Sequence, residues 1–197
     1  PPALAPHGAK KSLFGTNPIC FGAPTGKVPF ILDASTSVIN RGKIRRANKL
    51  GKRIPYGVAL NKAGKITTNA KEALLGTQLP IAEFKGSGLA WMVDILSGVL
   101  TGSSHGGKTK DPFDDFTGPQ NVGHLFITIN PKIFVGNNFI KEIKKNIKRV
   151  KKLPKAKGFN SILYPGERKN KTYKMNLNKD ISIPEKILKE MSELDAI

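Results

Sequence analysis

The chain has 197 residues, 39% of them hydrophobic, and a formal net charge of +19 from 33 Lys and Arg against 14 Asp and Glu. That length suits one sizeable core, or one domain and part of another, and the interspersed charge is that of a globular chain. The single cysteine, Cys20, cannot form an internal disulfide and is compatible with a cytoplasmic, reducing setting.

The opening Pro/Gly-rich stretch to Ser12, which starts Pro1-Pro2-Ala3-Leu4 without a methionine, reads as a connector. Pro18 to Ala23 and Phe30 to Ala34 read as short strands around the turn signal Pro24-Thr25-Gly26-Lys27. Ser37 is positioned to cap a helix running to about Leu50, which Gly51 ends. Gly57 to Asn61 reads as a strand and Ala70 to Gly76 as a short helix. Ser87 to Leu100 is apolar nearly all round, so a central buried helix is expected there. It is too short to span a bilayer and contains Asp94. Thr101 to Val122, rich in Gly, Pro, Asp and Ser, reads as a long loop, mobile or at an interface. His124 to Asn130 alternates as a strand. A basic helix follows, then a strand near Ile162, and a last helix from Pro184 to Leu194 with proline in its first turn. Strands and helices mix without regular alternation, which argues against a doubly wound sheet.

The charge would ordinarily suggest a polyanionic partner. Nine of the seventeen residues from Lys141 to Lys157 are Lys or Arg. Yet Phe139, Ile143, Ile147, Val150 and Leu153 recur at helical intervals, which leaves the lysines on a solvated face. Aromatics and arginines, which nucleic-acid recognition would interleave with the charge, are sparse. A nucleic-acid-binding protein is therefore the alternative, not the first reading.

Four segments carry candidate chemistry. Asp33-Ala34-Ser35-Thr36-Ser37, at a strand end before a helix, presents hydroxyls and amides that suit phosphate or ribose, although ordinary capping explains the same residues. Lys85, before Gly86-Ser87-Gly88 at a helix start, adds a cation to amides that already favour an anion, while the glycines can equally serve tight packing. Thr16, in Gly-Thr-Asn-Pro, offers a hydroxyl to a carboxylate and sits in a turn signal. Gly166-Glu167-Arg168 is a weak signal alone. Gly102 to Thr109 fits the phosphate-loop pattern, but a helix-like segment precedes it and prolines follow, so a phosphate-loop NTPase is the least favoured reading. Gly86-Ser87-Gly88 lacks the third glycine of a dinucleotide fingerprint. His7, His105 and His124 show no metal-ligand spacing.

Taken in order, Gly15-Thr16-Asn17-Pro18 with Phe30 to Ser37, Phe84 to Ala90, Asn121 to Phe126 and Tyr164 to Arg168 resemble the malate/L-lactate dehydrogenase family that lacks a Rossmann fold. Its members include sulfolactate, ureidoglycolate and diketogulonate oxidoreductases and cyclic-imine reductases. The resemblance implies an α/β fold with a mixed, largely antiparallel sheet flanked by helices. It further implies NAD or NADP held by Asp33, Ala34, Ser35, Thr36, Ser37, Phe84, Lys85, Gly166, Glu167 and Arg168, and a substrate contact at Thr16. The expected reaction interconverts a 2-hydroxy acid and its 2-keto acid, in a homodimer. Lys43, where some imine-reducing members carry an acid, leans toward a hydroxy acid. Residues 1–136 would form part of a cofactor-binding domain and 137–197 a segment completing the fold. The resembled family carries a further helical region before the point where this chain begins, with the proton-donating histidine and the arginine that holds the substrate carboxylate. A C-terminal portion with no catalytic residue of its own is therefore expected.

Overall fold

The computed structural model describes residues 1–194; the expected C-terminal segment therefore runs three residues beyond the described ones. The chain divides into two compact units, Pro1–Phe21 with Leu32–Pro131, and Gly22–Ile31 with the residues from Lys132 onward. Strands β1 (Ile19–Ala23) and β2 (Phe30–Ala34) pair in one small sheet, as their composition predicts.

The first unit begins with a departure from expectation. Its opening stretch is part of the core, because Leu4 is fully buried and exchanges backbone hydrogen bonds with Phe14 at 2.9 and 3.1 Å. Leu4 also bridges Gln78 in parallel sense, with Gln78 N donating to Ala3 O and Ala5 N to Gln78 O. Amides that prolines and glycines seemed to leave idle are thus satisfied by sheet pairing. β3 (Ala59–Leu60) and β4 (Thr77–Gln78) run antiparallel with Ala59 opposite Gln78. The pairing around β4 is accordingly mixed and mostly antiparallel, the architecture expected.

Helix α1 (Arg41–Lys49) packs on α2 (Ala70–Leu75) around Ile39, Ile44, Ile54, Val58, Ala59, Ala70 and Ala73. Ile44, at 1% exposure, contributes about 1.5–3 kcal/mol by leaving water. The cap of α1 is Asn40, whose side chain accepts from Gly42 N at 2.7 Å; Ser37 is not the cap. Its hydroxyl donates instead to Ile39 O, and Ser37 pairs with Pro80 as an isolated bridge, so the helix cannot begin before Asn40.

Helix α3 (Phe84–Asp94) continues through a π-helical stretch, Ile95–Val99, and is not the enclosed helix its composition predicts. Gly86, Ser87, Ala90 and Gly98 are its buried positions, while Trp91, Ile95, Val99 and Leu100 are each about half exposed or more. Ala90 packs with Leu4 and Phe14, Gly86 lies against Ile81 and Gly98 against His105, and the long apolar side chains are left largely outside. Residues 101–122 form the expected loop. Residues 124–130 have no regular secondary structure and join no strand among the described residues, and Phe126 and Ile127 are 88% and 75% exposed.

The second unit adds α4 (Lys132–Val135), a 3-10 turn at Gly136–Asn138, α5 (Phe139–Lys151), α6 (Glu167–Asn176) and α7 (Glu185–Leu194). The basic helix is as expected: the lysines of α5 are exposed, and Phe139, Ile143 and Ile147 are its most covered positions. The strand expected near Ile162 does not form; one bond, Ile31 N to Pro165 O at 3.0 Å, ties that stretch to β2. No helix among the described residues is long and apolar enough to cross a membrane.

Candidate functional site

Thr16, the Asp33–Ser37 strip and the Phe84–Lys85 helix start lie in the first unit and share one hydrogen-bonded ladder. The Thr36 amide and hydroxyl both donate to Thr16 O, at 2.9 and 3.0 Å. On the other side Ile81 N donates to Thr36 O at 2.9 Å, and Val38 N to Leu79 O. Residues far apart in sequence are thereby fixed in register, with α3 starting three residues after the last rung.

The strip itself differs from the expected helix start. Thr36 and Ser37 are 1% and 4% exposed, and their hydroxyls are committed to the protein; Ser35 Oγ lies 3.1 Å from Ser37 Oγ. Asp33 and Ala34 are exposed, and Ser35 is half-buried. The surface this strip can offer a ligand is therefore Asp33-Ala34-Ser35, with Thr36 and Ser37 serving as its anchor.

Ahead of α3 the backbone reverses through two consecutive non-glycine residues of positive φ, Ala82 at 46° and Glu83 at 55°. Gly86 is required here: a Cβ would lie 2.0 Å from Ile81 O, whereas Gly88 meets nothing within 4 Å. The reversal brings Phe84, 63% exposed, and the exposed Lys85 into the first helical turn, where amide dipoles favour an anion. His7 braces this turn, its amide donating to Ser87 Oγ at 3.0 Å and its ring edge-on to Phe84 at 6.5 Å.

Thr16 lines a cleft of about 310 Å³ together with Asn17, Asp94, Ser97, Thr109 and His124. Asn17, which sequence reading passed over as part of a turn signal, donates from Nδ2 to Ala90 O at 2.7 Å with φ at 30°. It binds the Thr16 segment to the middle of α3. Beside the strip, Arg45 pairs with Asp111 at 3.7 Å and lies 4.2 Å over the Phe113 ring, securing the long loop to α1. Arg41, its neighbour one turn earlier, has a buried Nε without a hydrogen-bond partner. Burial and the Arg45 charge both lower its pKa, against Asp111 and Asp114. A guanidinium stays charged through such a shift.

Gly166, Glu167 and Arg168 lie in the second unit at the start of α6. Gly166 has φ of 101° and packs where a Cβ would approach Pro29 O to 2.6 Å. Glu167 is spoken for: it accepts from Tyr164 N at 3.2 Å and pairs with Lys151. Arg168 is exposed. The anchor of this segment is Tyr164, whose hydroxyl donates to Val28 O at 2.7 Å and whose ring stacks on Phe30 at 6.3 Å. Lone aromatics between glycines and prolines give no periodic signal, so Tyr164 was visible only as a motif boundary.

The phosphate-loop match lacks its required frame. The π-helical stretch precedes Gly102–Thr109, and turns and irregular chain rather than a helix follow Thr109.

A family model described as malate/L-lactate dehydrogenase matches residues 1–192. The chain belongs to the malate/L-lactate dehydrogenase family. It is 37% identical over 202 residues to a malate dehydrogenase of Pyrococcus horikoshii, covering 98% of this chain and 55% of that protein. With the L-sulfolactate dehydrogenase of Methanocaldococcus jannaschii it shares 36% identity over 197 residues, again 98% and 55%. A solved structure of that sulfolactate dehydrogenase superposes with a TM-score of 0.81. A dehydrogenase from Sinorhizobium meliloti reaches 0.89 at 28% identity, over 98% of this chain and 56% of that one. The chain thus spans about half the length of these malate/L-lactate dehydrogenase relatives.

Proposed function

We propose that this chain is the cofactor-binding part of an NAD(P)-dependent oxidoreductase that interconverts a small 2-hydroxy acid and its 2-keto acid. The observation carrying the reading is the single ladder joining Thr16, Thr36 and Ile81, which sets the acid-binding and cofactor-binding candidates in one frame. Relatives named malate, sulfolactate and ureidoglycolate dehydrogenases support that reaction class, and two carry NADP(+) or NAD(+) in their names.

The exposed residues fit a dinucleotide. The Phe84 face offers stacking area, Lys85 and the first-turn amides of α3 suit phosphate, and Asp33 suits ribose hydroxyls. In the second unit Glu167 holds Tyr164 and Lys151 rather than a ribose. The bound nicotinamide supplies or accepts the hydride. In this chain, Thr16 orients the acid's carboxylate in its cleft. Proton transfer to the carbonyl oxygen and the carboxylate clamp are assigned to polypeptide beyond this chain, so the chain alone turns over little substrate and the working enzyme is a homodimer.

The test is titration of NADH and NADPH, followed by energy transfer from Trp91, on this chain and on the full gene product, with malate, lactate and sulfolactate then supplied for turnover. Lys85→Ala is expected to weaken binding about tenfold, the loss of one charge-assisted contact. Thr16→Val should raise KM for the acid while leaving cofactor affinity unchanged, and Lys108→Ala should do neither. Binding of no nicotinamide nucleotide by either product would overturn the reading.

A further inference from the structure

We propose that Thr36 is a positioning residue that couples acid binding at Thr16 to cofactor binding at the Phe84–Lys85 turn. This rests on the functional reading above and assigns to a buried side chain a role distinct from cofactor contact.

The geometry points to it from both sides. Thr36 is 1% exposed, so its hydroxyl meets no ligand. Amide and hydroxyl converge on one carbonyl, Thr16 O, at 2.9 and 3.0 Å. Two donors on one acceptor fix the plane of the peptide between Thr16 and Asn17, and with it the direction of the Thr16 side chain. Threonine is β-branched and stiff at χ1, so the hydroxyl keeps its aim. The Thr36 carbonyl accepts from Ile81 N at 2.9 Å, the last backbone tie before Ala82 and Glu83 turn through positive φ. Such a strained reversal persists only where neighbours over-determine it. A shift of Thr36 therefore moves the Thr16 peptide and the base of the Lys85 turn together. Asn17 closes the loop by donating to Ala90 O on the helix that the same turn begins.

Thr36→Val keeps size, branching and both backbone bonds and removes only the hydroxyl donor. Thr36→Ser keeps the donor. The experiment measures NADH affinity of the full gene product with and without saturating malate, lactate or sulfolactate, which cannot be reduced further and so form a dead-end complex. The parent is expected to bind NADH about fivefold or more tightly with its acid present, within the usual range of coupling between sites. In Thr36→Val that factor should fall to about twofold or less and in Thr36→Ser it should return. A purely structural role would lower the melting temperature and both affinities without separating them. If Thr36→Val does not fold, Thr36→Cys, of similar size and a weak donor, is read in its place. Full coupling retained in the variant, while Lys85→Ala and Thr16→Val weaken their own ligands, overturns the role of Thr36 alone. Absence of NADH and NADPH binding in the parent overturns the functional reading and this role with it.

Discussion

Glu83 holds φ at 55° and ψ at −119°, a conformation in which a Cβ is crowded and glycine sits without cost. Its side chain makes no capping bond to compensate. Relief of strain, about 1–3 kcal/mol, exceeds the 0.5–1 kcal/mol or so that glycine's extra freedom costs. Glu83→Gly is therefore expected to stabilise the chain by about 1 kcal/mol in urea unfolding. A destabilised variant would instead mean that the carboxylate makes a contact worth more than the strain. The sequence shows Phe84-Lys85 as a candidate site but not this strain, because φ is set by the bonds at Ile81 and Ser87 that close the reversal. Thr36 teaches the same lesson. Its hydroxyl looks like a ligand donor when read along the chain, and its burial between two strands of the ladder is what makes it an anchor.

At the scale of elements, local chemistry was legible where a side chain acts within a few residues. Asn69 accepts from Lys71 N and Glu72 N at 2.9 and 3.3 Å and so opens α2. Asn69→Ala should cost about 1 kcal/mol, measured as a shift of the thermal midpoint. A negligible shift would show that Thr67, whose hydroxyl donates to Glu72 at 2.8 Å, holds the helix start without it. Ser37 and Asn40 both precede α1 and both have capping side chains, so the start of α1 is ambiguous in the sequence. Pairing of residues 36–38 with 79–81 decides between them, because it engages the chain around Ser37 and leaves Asn40 to open the helix. Residues 124–130 show the converse limit. Alternation predicts a strand, yet a strand needs a continuous ladder with a neighbour, and among the described residues this segment forms none. α6 escaped notice because its polar sequence, Glu167 to Asn176, carries no apolar stripe.

For the molecule as a whole, Trp91, the single tryptophan, is a direct probe. It lies 5.6 Å from Phe14 by ring centroids and is 57% exposed on α3. Acrylamide should therefore quench it readily in this chain, with emission displaced to the red. A protected, blue-shifted Trp91 in the same chain would show that its α3 face is covered by self-association. The charge of +19 bears on solubility and on encounter with anions rather than on the fold, since the lysines of α5 are exposed. The apolar face of α3 is the larger surprise for a chain of ordinary composition. An all-round apolar helix reads as enclosed, but periodicity does not tell which side meets the core; here the buried side is that of Gly86, Ser87 and Ala90, with Ala90 against Leu4 and Phe14.

Read along the chain, the residues were enough for the family, the mixed α/β architecture and most helices, since these rest on motif order and period. The partition of the Asp33–Ser37 strip into an exposed face and a buried anchor was not accessible that way. Nor were the incorporation of the opening segment into the sheet, the strained turn before α3 and the tie from Asn17 to Ala90. Each depends on a hydrogen bond between residues tens of positions apart, and a linear pattern carries no record of which distant donor will reach which carbonyl.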